Sequence, residues 1–184
     1  MNQFWKDIKD VCRTLSCTEQ LRLNAGASRI EIARLEAHLG VVLPMDLKDM
    51  LHQHDGQADG PGLIYGQEFL SIAKIRASCD AWRRVTGMND DFASAMSSSP
   101  PGVVKAMYAN PKWIPISHDY GGNHFGIDYD PDHKGMVGQI ISFGRDEDQK
   151  QFKASSFTAF MNELVCQLGQ TKWNGIYREW VGRA

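Results

Sequence analysis

The sequence has no surplus of positive charge. Its 184 residues include 20 Lys and Arg against 22 Asp and Glu, which gives a formal net charge of -2 at pH 7. Proteins that bind nucleic acid draw much of their affinity from cationic side chains that neutralise phosphates. The composition therefore argues against nucleic acid as a direct partner.

Long apolar runs and paired cysteines are also missing. No stretch of 18 apolar residues occurs, and charged residues interrupt the opening MNQFWKDIKDVCRTL, where a signal peptide requires an apolar segment. The cysteines follow no disulfide or zinc spacing; they are Cys12, Cys17, Cys79 and Cys166. These absences predict a cytoplasmic protein with reduced thiols and no membrane partner.

Signatures of common enzymes are absent as well. The chain contains no G-x-S-x-G, no phosphate-binding loop and no dinucleotide-binding glycines. A catalytic cysteine needs a base beside it, yet Cys12, Cys79 and Cys166 fall on or beside apolar helical stripes, where cysteine packs as a small hydrophobe. We predict no catalytic residues and no cofactor, with a small hydrolase as the minor alternative.

The first half of the chain has helical patterns. An N-terminal amphipathic helix is predicted by four apolar residues at helical spacing: Trp5, Ile8, Cys12 and Leu15. A capping box of Ser28 and Glu31, with Gly40 as a C-terminal stop, predicts a helix over about 29–39. Further helices are predicted after Pro44 and from Ile72 towards position 87, with short strands between them.

The second half changes to the period of two that is typical of strands. Apolar and polar residues alternate over 113–117, 124–129 and 137–143, and short glycine- and proline-containing turns separate these segments. A final helix is predicted from about 156 to 168. We predict one α+β domain over 1–184, with a core at about 28–168 and a mainly antiparallel sheet with helices packed against it. The serine- and proline-rich segment 88–102 is predicted to be a mobile loop.

The segment HDYGGNHFGIDYDPDHKGMVGQ, residues 118–139, concentrates aspartate and histidine. A calcium loop that begins at Asp128 would need glycine at His133 and glutamate at Gln139, so that interpretation fails. A transition-metal site built from Asp119, His118, His124 and His133 lacks a feature that makes the four side chains converge. We therefore predict turns, no metal site and a fold that is stable without metal; Asp119 is expected to accept backbone N–H groups from the Gly-Gly turn.

Glu36 is predicted to have a structural role. It shares a helical face with Ile32, Leu35 and Leu39, so its carboxylate starts out directed at the core. Burying a carboxylate costs free energy unless the carboxylate is paired or accepts hydrogen bonds. We expect it to accept a backbone N–H from the following VVLP turn or from the first turn of the next helix.

The stretch SRIEIARLEAHLGVVLPMDLKDMLHQHDGQ resembles the signature of the SUKH superfamily, as do WIP, GGN, GIDYD and GQIISF downstream, in that order. This superfamily includes the Smi/Knr-type cell-wall assembly regulators of yeast and many bacterial immunity proteins. The positions that carry the resemblance structurally are Glu36, Gly40, Pro44, Gly56, Trp113 and Asp128.

The resemblance implies an α+β protein without a known catalytic apparatus that binds other proteins. The function expected first is that of a bacterial immunity protein, which neutralises a toxin domain such as a nuclease or deaminase. The alternative is an intracellular regulatory scaffold related to the cell-wall assembly regulators. The partner and the oligomeric state are left open.

A candidate partner surface lies on the loops that join the predicted strands. Loops on a rigid sheet often display specificity residues, and carboxylates there would steer a basic partner. The candidate residues are Asp119, Tyr120, Asn123, His124, Asp130, Asp132 and His133.

Overall fold

Helices form most of the first half of the chain. The computed structural model describes residues 3–14, 21–58, 62–169, 171–173 and 178–180; the predicted positions Leu15 and Cys17 lie outside these residues. The helices are α1 (Gln3–Thr14), α2 (Arg29–Leu39), α3 (Met45–Gln53), α4 (Ile72–Arg84), the short α5 (Asn89–Phe92) and α6 (Phe157–Leu168). The capping box and glycine stop predicted for α2 are confirmed, with Gly40 at φ 70°.

Strands dominate the second half. The main sheet has the order β2 (Ser97–Ser99), β7 (Gln149–Ala154), β6 (Gln139–Gly144), β5 (Asn123–Asp128) and β3 (Trp113–Pro115). Only the β2–β7 pair in this sheet is parallel. Two further antiparallel pairs join β1 (Glu68–Phe69) to β4 (Ser117–His118), and β8 (Thr171–Trp173) to β9 (Arg178–Trp180). The predicted α+β class is confirmed.

Both faces of the main sheet are covered. On one face Ile127 and Ile140 pack into the large core formed with the helices. On the other face Ile141 and Phe143 form a smaller cluster with Trp113 and Val104. The segment that follows β2 therefore closes the second face of the sheet.

The segment 88–102 contains ordered elements in this structure. It includes α5 and β2, and Met96 is buried. The sequence missed both elements, because α5 spans only Asn89–Phe92 and β2 is the serine tripeptide Ser97–Ser99, which gains its hydrogen bonds from the distant β7. The mobility of this segment stays a prediction.

Glu36 stabilises the turn between α2 and α3. Its Oε1 accepts the backbone N–H of Leu43 at 2.8 Å, as predicted, and lies 3.2 Å from Nζ of Lys48. On the far side of the same turn, the Tyr129 hydroxyl donates to the carbonyl of Val42 at 2.7 Å. The turn is thus held to α2 and to the sheet.

Removing the Glu36 carboxylate should destabilise the fold. We expect Glu36→Ala to lower the free energy of unfolding by about 1–3 kcal/mol, because the Leu43 N–H loses its acceptor in a partly buried place. Glu36→Gln keeps an acceptor oxygen and should cost less. Urea unfolding of both variants makes the comparison, and equal losses would show that the ion pair to Lys48, rather than the backbone bond, matters.

Candidate functional site

The predicted partner residues fall into two groups at opposite ends of β5. Asp119, Tyr120, Asn123 and His124 lie at the hairpin between β4 and β5. Asp130, Asp132 and His133 lie in the loop that leads to β6. A strand of this length separates its ends by roughly 20 Å. The structure therefore does not bring the seven residues into one patch, and their role in binding stays a proposal.

Asp119 holds the β4–β5 hairpin together. Its Oδ1 accepts the N–H groups of Gly121 at 2.7 Å and Asn123 at 2.8 Å, as predicted. Burial alone would raise the pKa of Asp119, but these hydrogen bonds keep that pKa below its ordinary value. The turn places Tyr120 at φ 64°, and the Tyr120 N–H donates to Nδ1 of His118 at 3.1 Å. The loop thus displays an exposed Tyr120 ring beside His118.

The aspartates at the end of β5 and in the following loop bind groups of the chain itself. Asp128 is buried and accepts hydrogen bonds from the Asp130 N–H and from the Gln139 side chain. Asp130 pairs with Lys105 at 2.6 Å. Asp132 also contacts the neighbouring His133 ring at 3.0 Å. Within the residues that the structure describes, no group of three or more histidine, cysteine, aspartate or glutamate side chains could hold a metal ion.

A concave site lies where α4 meets the β4–β5 hairpin. Its volume is about 300 Å³, and we call it the aromatic pocket. The lining residues are Ser78, Ala81, Trp82, Val85, Tyr108, His118, Gly122, His124 and Arg145.

The rings of the aromatic pocket pack against each other and on the sheet, with Trp82 edge to face on its neighbours and the two histidine rings tilted. Trp82 lies 5.7 Å from Tyr108 and 5.9 Å from His124, measured between ring centroids. His124 packs 5.4 Å from Phe143, its cross-strand neighbour, and 5.0 Å from His118. Offset and edge-on aromatic pairs each add stability beyond their buried area. The pocket wall is therefore anchored to the second sheet face.

The two histidines of the aromatic pocket have defined tautomers. Nδ1 of His124 lies 2.7 Å from the Ser117 carbonyl, so Nδ1 carries the proton and Nε2 is an acceptor. His118 has the opposite arrangement, since its Nδ1 accepts the Tyr120 N–H and leaves the proton on Nε2. One ring thus presents an acceptor and the next a donor.

Burial keeps His124 neutral. Only 3% of the residue is exposed, and this burial lowers the pKa of His124 from its ordinary value of 6.5 to about 4. The hydrogen bond to Ser117 opposes the shift but does not outweigh burial. Nε2 of His124 therefore remains an acceptor across the physiological pH range.

His124 makes a testable contribution to the pH dependence of stability. Between pH 6.5 and pH 4 the unfolded chain protonates His124 while the folded protein does not, so stability falls as the pH drops. We expect the shifted pKa of His124 to lower the free energy of unfolding by about 2 kcal/mol between pH 7 and pH 5. His124→Asn retains a donor for the Ser117 carbonyl and should abolish this share of the decline.

Urea unfolding at the two pH values measures this difference. His133→Asn, at an exposed histidine, keeps His124 and should therefore keep the decline. Identical pH dependence in wild type and His124→Asn would contradict the assignment.

Sequence reasoning found His118 and His124 but missed the rest of the aromatic pocket. Trp82 falls at helical spacing with the apolar residues Ile75 and Cys79 of α4, although the structure leaves it partly exposed. Tyr108 lies in a segment without regular structure, and Arg145 follows β6. Only the packing of α4 beside the hairpin brings them together. The feature of the sequence that could have indicated the pocket was its concentration of aromatic and histidine residues.

A second concavity lies between α2 and α3. It has a volume of about 390 Å³, and its lining includes Ile32, Met45, Glu36 and Lys48. The last two residues pair with each other at 3.2 Å. These two charged groups that line the groove are therefore already paired with each other.

Comparison with known proteins identifies the family. The model of the SMI1 / KNR4 family (SUKH-1) matches residues 26–163. The chain belongs to this family. The predicted superfamily resemblance is thus confirmed, and no helix among the described residues of this family member is long and apolar enough to cross a membrane.

Several fungal proteins are similar to the chain. The cell wall biosynthesis/cell cycle regulator smi1 of Schizosaccharomyces pombe is 35% identical over 161 residues, which are 80% of this chain and 32% of that protein. The cell wall assembly regulator SMI1 of Saccharomyces cerevisiae is 30% identical over 178 residues, 78% of this chain and 35% of that protein. A glucan synthesis regulatory protein of Neurospora crassa is 30% identical over 187 residues, 83% and 35% of the respective chains. The chain thus spans about a third of the length of these relatives.

The expectation of a bacterial immunity protein is wrong. The curated relatives are fungal regulators of the cell wall, and their names favour the regulatory alternative. The same finding removes the toxin domain as the expected partner. The sequence motif that the superfamily shares identifies the fold, and proteins with one fold can have different functions.

Proposed function

We propose that this chain is a non-enzymatic protein-binding module of a regulator of cell-wall assembly. The names of the relatives support the regulatory role, and the family supports binding between proteins. A cytoplasmic location belongs to the same proposal. It is consistent with Cys79, which is a buried free thiol.

The observation that carries the binding role is the aromatic pocket. Aromatic residues that remain partly exposed on a rigid scaffold are typical of binding hot spots, because they bury much area at small cost in conformational entropy. Trp82 and Tyr108 are such residues, and His124 fixes an acceptor beside them. Asp119, Tyr120 and Asn123 form the neighbouring hairpin and are proposed as the rim.

The loop with Asp130, Asp132 and His133 is proposed as a separate, secondary contact region. Asp130 is committed to Lys105 and Asn110, so it has less capacity for a partner than the sequence predicted. The double variant Asp130→Lys with Asp132→Lys tests this region independently of the aromatic pocket.

A replacement experiment in fission yeast tests the proposed function. The segment of the S. pombe regulator that aligns with this chain is exchanged for the chain, and wall glucan and resistance to wall-digesting enzyme are compared with the deletion strain. We expect the chimera to restore both properties towards wild type. A chimera that is stably produced but behaves like the deletion would overturn the proposal.

Paired variants of the chimera locate the binding surface. Trp82→Ala with Tyr108→Ala should abolish rescue, because the pocket wall is lost. Ile30→Ala with Met45→Ala removes two exposed apolar side chains near the α2–α3 groove and should leave rescue intact. Loss of rescue in the Ile30/Met45 variant, with rescue intact in the Trp82/Tyr108 variant, would place the binding surface at the α2–α3 groove.

A further inference from the structure

The aromatic pocket presents hydrogen-bonding groups that nothing in the described fold uses. Within residues 3–14, 21–58 and 62–169, the Arg145 guanidinium and the Nε2–H of His118 have no hydrogen-bond or ion-pair partner. Both are donors. Their presence in one lining favours a ligand group that accepts hydrogen bonds and carries negative charge.

The acceptor of the pocket is more constrained. His124 is 3% exposed, its Nδ1 is committed to Ser117, and its Nε2 has no partner among the described side chains and backbone groups. The lone pair of Nε2 is therefore available at the pocket surface, and a ligand N–H that reaches it would donate a hydrogen bond.

Arg145 is positioned by the hairpin glycine. Its backbone N–H donates to the Gly122 carbonyl at 3.1 Å. A side chain at Gly122 would lie 3.2 Å from Cβ of Arg145, and Gly122 has φ 104°, so the glycine lets the arginine stem lie against the loop. The cation is thereby kept at the rim of the aromatic pocket.

The pocket is also small. A volume of about 300 Å³ is at the low end for ligand sites, and it suits one amino-acid residue rather than a helix or a folded domain. Trp82 and Tyr108 provide the apolar wall. The site therefore combines a cation, an N–H donor, one acceptor and an aromatic surface.

We propose that the aromatic pocket binds the free carboxyl terminus of a partner polypeptide that ends in a large apolar residue. The terminal carboxylate accepts hydrogen bonds from Arg145 and from Nε2–H of His118. The N–H of the last residue donates to Nε2 of His124, and its side chain packs on Trp82 and Tyr108. This inference rests on the proposed function and adds the chemistry of the partner.

A chain terminus fits better than an internal acidic residue. In a terminal residue the carboxylate, the N–H and an apolar side chain all branch from one Cα, which matches the grouping in the aromatic pocket. An internal aspartate has its carboxylate in place of the apolar side chain, so Trp82 and Tyr108 would remain uncovered. Capture of chain termini is an established mode of peptide recognition.

A titration followed by NMR tests the inference on the full chain labelled with ¹⁵N. The probe is acetyl-Gly-Ser-Gly-Ser-Phe with a free carboxyl group, compared with the same peptide as its carboxamide and with an amidated peptide that has an internal aspartate. We expect the free acid to shift the Trp82 indole resonance in a saturable manner. The carboxamide should bind about tenfold more weakly or worse, because it loses a charge-assisted hydrogen bond.

Two variants test the assigned contacts. Arg145→Gln removes the cation, and His124→Asn removes the ring acceptor while keeping a donor for Ser117; each should weaken binding of the free acid about tenfold. Arg34→Gln changes an exposed arginine on α2, outside the aromatic pocket, and should leave the affinity unchanged. Equal losses in Arg145→Gln and Arg34→Gln would indicate a general charge effect and overturn the assignment.

The outcomes separate this inference from the proposed function. Equal affinity for the free acid and the carboxamide, or tighter binding of the internal aspartate, overturns the terminus assignment. If no peptide binds while the yeast chimera still rescues, the terminus assignment fails and the proposed function stands. If the free acid binds selectively and the chimera is inactive, the pocket chemistry is supported and the cell-wall role falls.

Discussion

Replacing Trp5 by alanine should lower the free energy of unfolding by about 3–5 kcal/mol, the cost of a large aromatic cavity. Trp5 is fully buried, its indole N–H donates to the Met50 carbonyl at 3.0 Å, and its ring packs edge-on against His54 and Phe69. The residue lies in α1, before the family-matched residues 26–163. The result therefore tests our proposal that α1 folds together with the rest of the domain.

Urea unfolding followed by circular dichroism and by fluorescence measures the Trp5 effect. Trp5→Phe keeps most of the ring and should cost less, whereas Lys6→Ala, at the exposed neighbouring position, should change stability by less than about 0.5 kcal/mol. A Trp5→Ala loss below about 1 kcal/mol would show that α1 docks only loosely.

Gly126→Ala should destabilise the sheet by about 3 kcal/mol or more, although it adds a single methyl group. A Cβ at this position would lie 2.6 Å from the Ile114 carbonyl oxygen and 2.6 Å from the Phe143 ring. The ring can shift, but the carbonyl belongs to the paired strand β3 and cannot. Because Phe143 supports His124, the substitution should also disturb the aromatic pocket.

Gly87 offers the matched control for Gly126. A Cβ at Gly87 would meet nothing within 4 Å, so Gly87→Ala should change stability by less than about 0.5 kcal/mol. Thermal unfolding of both variants makes the comparison. Comparable small effects in the two would contradict the close approach of β3, β5 and Phe143.

The local signals in the sequence predicted those parts of the fold that short-range chemistry controls. The Ser28–Glu31 capping box, the Gly40 stop and the Asp119 turn depend on residues within a few positions of each other, and all three are present. Glu36 is a similar case, because its Leu43 partner lies only seven residues away. The order of helices and strands followed from the change of hydrophobic period.

Elements that gain their stability from distant pairing were missed. The β7 segment QKQFKA has no clear alternation, and it is a strand because β6 and β2 flank it. Lys150 in this strand is fully buried, and burial lowers its pKa to about 8. Composition alone assigns a lysine to the surface, since only a tertiary structure can enclose its aliphatic stem and ammonium group.

The sequence by itself determined the family, the α+β class and the absence of familiar catalytic motifs. Tertiary structure decided which side chains share a site. Packing of α4 beside the β4–β5 hairpin joins Trp82, Tyr108 and Arg145 to the two histidines, while β5 holds Asp130 and Asp132 apart from them. The physical reason is that hydrogen bonds in turns and caps depend on neighbours in the chain, whereas a binding site depends on contacts between elements far apart in sequence.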